Sequence, residues 1–179
     1  MKRAVFLDRD GVINRAVVRG GKPYPPASLE EFELLPGAAA AAASLRAAGF
    51  LVVVVTNQPD VATGVQRRDV VEAMHERLRA GGLCDDIKAC YHTDADGCEC
   101  RKPRPGMLLE AARQWQIDLP SSFMVGDRWR DVAAGKAAGC ITYFIDCGYR
   151  ERQPDRPDAV VASLADAARR ILDKEQHAT

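Results

Sequence analysis

Residues 50–56 read FLVVVVT, a short run that is apolar almost throughout and dominated by β-branched valine. A strand with one face in water alternates apolar and polar side chains, so an unalternated run of this length predicts a strand covered on both faces. Strands of that kind belong to parallel sheets, whose crossover connections lay helices over both surfaces. The rest of the chain fits the pattern. AVFL at 4–7, IKACYH at 87–92, SFMVGD at 122–127 and CITYFI at 140–145 read as further strands, with a short one near 159–162. Helical patterns lie between them. An alanine-rich helix is opened by Pro36-Gly37 and stopped by Gly49, and a second over 68–80 carries Val71, Met74 and Leu78 on one stripe. A third has Pro105 as its first residue, a fourth ends at Gly139, and the last covers 164–174. The expectation is an α/β protein with a three-layer, Rossmann-like parallel sheet. A length of 179 residues suits a single domain over 1–179, with GGKPYPP (20–26) and ERQPDRP (151–157) as surface loops.

Lysine plus arginine and aspartate plus glutamate each number 25, so no net charge draws the protein toward nucleic acid or an anionic membrane. The longest apolar run, 47–55, is far short of a membrane span, and the N-terminus lacks the apolar core of a secretory signal. Six cysteines in such a chain argue for reduced thiols and metal ligation, hence a cytoplasmic protein. Without long apolar surface stripes, a monomer is expected.

Open parallel sheets gather functional residues at the carboxyl ends of their strands. Here those ends carry Asp8 and Asp10 (DRDG), Thr56 (TNQ), and Asp127 and Asp131 (GDRWRD). Asp8 and Asp10, two residues apart, leave the same face of an extended chain. Clustered carboxylates repel unless a cation lies between them, and an oxygen-rich pocket suits Mg²⁺. A carboxylate nucleophile beside Mg²⁺ fits phosphoryl transfer, because the metal cancels the repulsion between carboxylate and phosphate dianion. Asp8 would form an aspartyl-phosphate, Asp10 would move the protons, and Thr56 and Lys102 would hold the remaining phosphoryl oxygens.

Between 90 and 100 the chain reads CYHTDADGCEC. Cys90, His92, Cys98 and Cys100 make a Cys₃His set with no open position, the composition of structural rather than catalytic zinc. Lys102 follows the last ligand by two residues, so a zinc-ordered loop would fix that lysine where packing alone does not. Asp94, Asp96 and Glu99 read as a solvated hairpin tip, His75 and His177 as surface residues, and Cys84, Cys140 and Cys147 as plain thiols. Arg101, Arg104, Arg128 and Arg130 flank the site and suggest a second anionic group on the substrate.

FLDRDGVIN (6–14), VTNQ (55–58), Lys102 and GDRWRD (126–131) resemble, in order, the four motifs of the haloacid-dehalogenase-like (HAD-like) phosphohydrolases. The resemblance implies a HAD-like fold with Asp8 as nucleophile and Mg²⁺ ligand. It implies Asp10 as acid/base lending the metal its backbone carbonyl, Thr56 on phosphate and Lys102 orienting the nucleophile. Asp127 becomes the further Mg²⁺ ligand and Asp131 an acidic support. No insertion between the motifs is large enough for a cap domain. Within the family, LDRDGVIN, TNQ and CYHTDADGCECRKPRPG are similar to the D-glycero-D-manno-heptose 1,7-bisphosphate 7-phosphatases and to the histidinol-phosphate phosphatases. That implies a Mg²⁺-dependent phosphomonoesterase with a zinc loop, acting on a small sugar phosphate, with Asn57, Arg101 and Arg128 at the substrate. The 7-phosphate of the heptose bisphosphate is the expected target. Histidinol phosphate, a polynucleotide 3′-end, or a non-enzymatic phospho-acceptor role are the alternatives. The chain departs from the heptose group at Pro59-Asp60 and Thr63, where Ser-Gly and an arginine are usual, which places an extra negative charge beside a phosphate site.

Overall fold

β1 (Ala4–Leu7) has every side chain buried and runs through the middle of a six-stranded sheet. The computed structural model describes residues 1–177, the last of these by its backbone alone. On one side of β1 lie β4 (Leu51–Asn57) and β5 (Asp86–Cys90), and on the other β6 (Phe123–Gly126), β7 (Ile141–Ile145) and β8 (Ala159–Val161), all parallel. Among the described residues five α-helices complete the layers: α1 (Ala38–Ala47), α2 (Arg68–Ala80), α3 (Gly106–Trp115), α4 (Trp129–Ala138) and α5 (Leu164–His177). The unalternated valine run is β4, with residues 52–56 all buried.

Successive side chains of a strand point to opposite faces, and two cores follow. Val5, Leu7, Val52 and Val54 face α1, α2 and α5, where Ala41, Leu45, Met74, Leu78, Ala168 and Ile171 meet them. Ala4, Phe6, Val53 and Val55 face α3 and α4, against Met107, Leu108, Ala111 and Ala134. The chain runs outward from β1 through β4 to β5, then returns to β1's other edge as β6. The direction of strand order therefore reverses beside β1, the position where open α/β sheets form their binding crevice.

The stretch expected as a surface loop at 20–26 is instead part of an antiparallel hairpin, β2 (Val17–Arg19) and β3 (Lys22–Tyr24). Gly20 and Gly21 both have positive φ (58° and 79°), as a two-residue type I′ turn requires. Arg150 N donates to Gly21 O at 2.7 Å, tying this hairpin to the loop after β7. Pro105 serves as the cap before α3 rather than as its first residue. Among the described residues no helix is long and apolar enough to cross a membrane.

Candidate active site

Asp8 follows the last residue of β1, with its N–H still bonded to Val125 O of β6 at 3.0 Å. The chain then turns sharply: Ile13 N donates to Arg9 O at 2.9 Å and Gly11 N to Asn14 O at 2.7 Å. Gly11 has φ 84°, and a Cβ there would lie 2.0 Å from Asp127 Oδ2, so only glycine fits. Asp127, directly after β6, and Asp131, in the first turn of α4, close the corner. Ligand atoms of Asp8, Asp127 and Asp131 all lie within 4.8 Å of one another.

The Lys102 ammonium is buried among these groups. Its Nζ donates to Asp131 Oδ1 at 2.6 Å, Val55 O at 2.8 Å and Asp8 Oδ1 at 2.9 Å, using all three protons. Burial works against that ammonium, but the charges of Asp131 and Asp8 outweigh it and hold its pKa above the usual lysine range. The carboxyls answer in kind. Burial, and then the charge of Asp8, push Asp131 up to about 6 despite Lys102. Burial and the charges of Asp8 and Asp131 raise Asp127 well above its ordinary value.

When all three carboxyls are ionised, they and the one ammonium leave an excess of two negative charges; together with burial, that self-repulsion raises Asp127 and Asp131, and a divalent cation would relieve it. Asp127 Oδ2 accepts from the Tyr149 hydroxyl at 2.7 Å, while Asp127 Oδ1 is buried without a hydrogen-bond partner among the described residues. An orphaned carboxylate oxygen in an anionic, oxygen-lined corner is what a hard ion such as Mg²⁺ takes up, so the residues fit that metal.

Asp10 faces a different set of partners. Its carboxylate receives Arg9 Nε and Nη2 at 3.1–3.3 Å, Asn14 Nδ2 at 2.9 Å and Gln58 Nε2 at 2.9 Å. Gln58 also donates to Thr56 Oγ1 at 2.9 Å, linking β4's carboxyl end to Asp10. The carboxylate of Asp10 thus stands outside the Asp8–Asp127–Asp131 cluster, although Asp8 and Asp10 both line one cleft of about 250 Å³.

That cleft is walled by Asn57, Pro59, Asp60, Arg101, Arg128 and Arg130, and by residues 22–25 of the hairpin. The Asn57 amide is engaged in both directions with Lys102, donating to its O at 3.0 Å and accepting from its N at 3.1 Å. Arg128 is forked onto Glu151, with contacts of 2.6–3.1 Å.

Cys90, His92, Cys98 and Cys100 also converge, with sulfur–sulfur separations of 3.0–3.6 Å and His92 Nδ1 3.3–3.6 Å from two of the thiols. Zinc–sulfur bonds of about 2.3 Å set tetrahedral ligands about 3.8 Å apart, so the cluster fits that ion closely. Burial raises the Cys90 and Cys100 thiols, whereas at Cys98 hydrogen bonds from Cys100, the Arg101 backbone and Cys90 overcome desolvation and bring it down to about 7.

Several expectations need correction. Asp94 is solvent-exposed, as expected of a loop tip, but in addition it accepts from Arg101 Nε at 2.9 Å and from Arg130 Nη1 at 2.9 Å, fixing two arginines at the cleft. Arg104 is not at the cleft; it bonds Gly97 O and Cys98 O and so braces the loop that carries the Cys₃His cluster. His75 is 1% exposed, because its ring sits under Arg9 rather than on the surface. The side chain of His177 lies outside the described residues. Sequence reasoning also missed Arg9, Asn14, Gln58, Tyr149 and the hairpin. The Gly-Gly flanked by Val17-Val18 and Tyr24 signalled a hairpin, but the prolines masked it. Tyr149 had no local signal, since only the fold brings the loop after β7 beside Asp127.

The HAD-hydrolase-like family model matches residues 99–167. A D-glycero-beta-D-manno-heptose-1,7-bisphosphate 7-phosphatase of Pseudomonas putida is 37% identical over 182 residues, covering 95% of this chain and 99% of the relative. The chain belongs to the HAD-like hydrolases. A second relative of the same name, from Rhodopseudomonas palustris, is 42% identical over 76% of this chain and 79% of its own length. Among solved structures, the D,D-heptose 1,7-bisphosphate phosphatase of B. bronchiseptica, complexed with magnesium and phosphate, matches with a TM-score of 0.83 at 34% identity. It covers 97% of this chain and 99% of that one. The acidic corner of this chain lies at the carboxyl end of the central strand, and among the described residues only the small hairpin and α1 come between β1 and β4.

Proposed function

We propose that this protein is a Mg²⁺-dependent phosphomonoester hydrolase that removes the 7-phosphate of D-glycero-β-D-manno-heptose 1,7-bisphosphate through an aspartyl-phosphate on Asp8. The observation carrying this reading is the buried corner where Asp8, Asp127 and Asp131 surround Lys102 with one carboxylate oxygen left unpartnered. The Asp8 and Asp127 carboxylates and the Asp10 backbone carbonyl are the groups that would hold Mg²⁺. Bound there, the ion supplies the positive charge that lets a carboxylate approach a phosphate dianion.

Asp8, held by Lys102, attacks phosphorus and takes the phosphoryl group as the bond to the sugar oxygen breaks. Asp10 gives that oxygen its proton, then removes one from the water that attacks the aspartyl-phosphate, restoring the Asp8 carboxylate and releasing phosphate. Thr56 and Lys102 stabilise the phosphoryl oxygens as charge spreads over them. Arg101, Arg128 and Arg130 at the cleft wall suit a second phosphate, and Asn57 fixes the backbone of Lys102. The zinc loop would act as a clamp, ordering the segment that delivers Lys102. Six free cysteines and a thiolate metal site suit a reducing cytoplasm, where we place the protein as a monomer acting on a small molecule.

The test is a panel of phosphate esters with Mg²⁺, compared by kcat/KM. The heptose β-1,7-bisphosphate is expected to rank first and to yield the 1-phosphate. A higher rank for histidinol phosphate or a polynucleotide 3′-phosphate would overturn the substrate, and no Mg²⁺-dependent turnover of any ester would overturn the reaction.

A further inference from the structure

Arg9 is the bulkiest fully buried side chain among the described residues, and it stands between Asp8 and Asp10. A buried guanidinium is tolerated only when its charge and its N–H donors are satisfied. Nε and Nη2 go to the Asp10 carboxylate, and Phe32 covers the guanidinium with its ring centroid 5.7 Å away. Nη1 meets Nε2 of His75, on α2, at 3.2 Å.

Arginine has no acceptor, so the direction of that bond is fixed: Arg9 donates and His75 Nε2 accepts. The imidazole is then neutral with its proton on Nδ1, the nitrogen that faces Glu72 Oε2 at 3.7 Å. Burial and the charge of Arg9 push His75 down to about 4, which keeps the acceptor available at neutral pH.

We propose that His75 is a positioning residue: by accepting from Arg9 it fixes the guanidinium that sets the plane of the Asp10 carboxylate. The proposal rests on Asp10 being the acid/base of the reaction. Asn14 and Gln58 also donate to Asp10, but each supplies a single bond, whereas the Arg9 fork grips both oxygens. Without His75, one buried N–H of Arg9 loses its partner and the fork is free to rotate toward another.

A purely structural role and this positioning role differ in their dependence on the leaving group. A sugar alkoxide needs a proton from Asp10 as it departs, while p-nitrophenolate leaves without one. His75→Leu is expected to lower kcat/KM for the heptose bisphosphate by about tenfold or more, yet change kcat/KM for p-nitrophenyl phosphate, which reports only the steps up to the aspartyl-phosphate and not its hydrolysis, by less than about threefold. His75→Gln, whose Oε1 can accept from Arg9, should restore the sugar ester to within about threefold of the parent. In an Asp10→Asn background, His75→Leu should add no further loss on either ester. Equal losses on both esters, failure of glutamine to rescue, or losses that multiply in the double variant would each overturn the proposal. If Asp10→Asn alone shows no leaving-group dependence, the reading of Asp10 fails instead, which separates the two. Melting temperature and zinc content verify folding. Should His75→Leu not fold, His75→Met, which fills the space with only a weak acceptor, replaces it with the same expectations.

Discussion

Replacing Lys102 by methionine keeps the volume of the side chain and removes its charge from a place where 2% of it meets solvent. Three hydrogen bonds vanish, and two carboxylates, those of Asp8 and Asp131, lose the cation that pairs with both. Breaking a buried ion pair by deleting one partner costs about 3–5 kcal/mol, because the remaining charge stays desolvated. Asp131 can escape part of that cost by taking a proton. It already sits at about 6 with Lys102 present and rises further without it, and each pKa unit corresponds to about 1.4 kcal/mol. The expected net loss is about 3 kcal/mol at neutral pH in magnesium-free buffer. A carboxyl whose folded pKa is raised favours the fold below its unfolded value and burdens it as pH rises through the folded value. The gap between parent and variant should therefore narrow from about pH 7.5 to about pH 5.5, as Asp131 in the variant protonates. Urea denaturation at both pH values reads the gap directly. A loss under about 1 kcal/mol at the higher pH, or a gap that widens on acidification, would refute the view of Lys102 as the charge that holds this corner together.

Gly11→Ala should lower Mg²⁺ affinity at least about tenfold by calorimetric titration with zinc content unchanged, because the new Cβ would sit 2.0 Å from Asp127 Oδ2 in a backbone that disfavours L side chains. Removing zinc by chelation and then restoring Mg²⁺ alone should leave the enzyme largely inactive, and added Zn²⁺ should bring activity back; full activity in a zinc-free chain would contradict the clamp. His75 predicts a pH dependence of its own. Its folded pKa of about 4 lies below the ordinary 6.5, so the unfolded chain binds the extra proton and stability falls as pH drops between those values. The parent should lose about 3 kcal/mol over that interval that His75→Gln does not lose, as measured by denaturant midpoints.

The legible parts of this molecule were those governed by local pattern. The valine run of β4 announced a strand buried on both faces, and the placement of Asp8, Thr56 and Asp127 at strand ends followed once the sheet was read as parallel. The Cys₃His spacing was equally local. What stayed hidden depends on distant chain segments meeting. His75 stands at helical spacing on the stripe of Val71, Met74 and Leu78, but its polarity alone suggested the surface, and the Arg9 that it meets in the interior is 66 residues away in the chain. Tyr149 and Glu151 sit in an irregular loop with no periodicity, yet one bonds Asp127 and the other pins Arg128. Period-two reasoning placed Asp8 and Asp10 on one face, and both do line the cleft. The turn at Gly11 nevertheless aims the Asp10 carboxylate at Arg9, Asn14 and Gln58, leaving Asp131 to join the acidic corner.

The central claim is that Asp8 carries the phosphoryl group during turnover. Trypsin releases residues 4–9 (AVFLDR) as a peptide whose only side-chain carboxylate is Asp8. Acid quenching during steady-state hydrolysis, followed by mass spectrometry of that peptide, should show the mass of one added phosphoryl group, absent without Mg²⁺ and absent in Asp8→Asn. An unmodified peptide 4–9 during active turnover, or a phosphoryl group on any other peptide, would contradict the account.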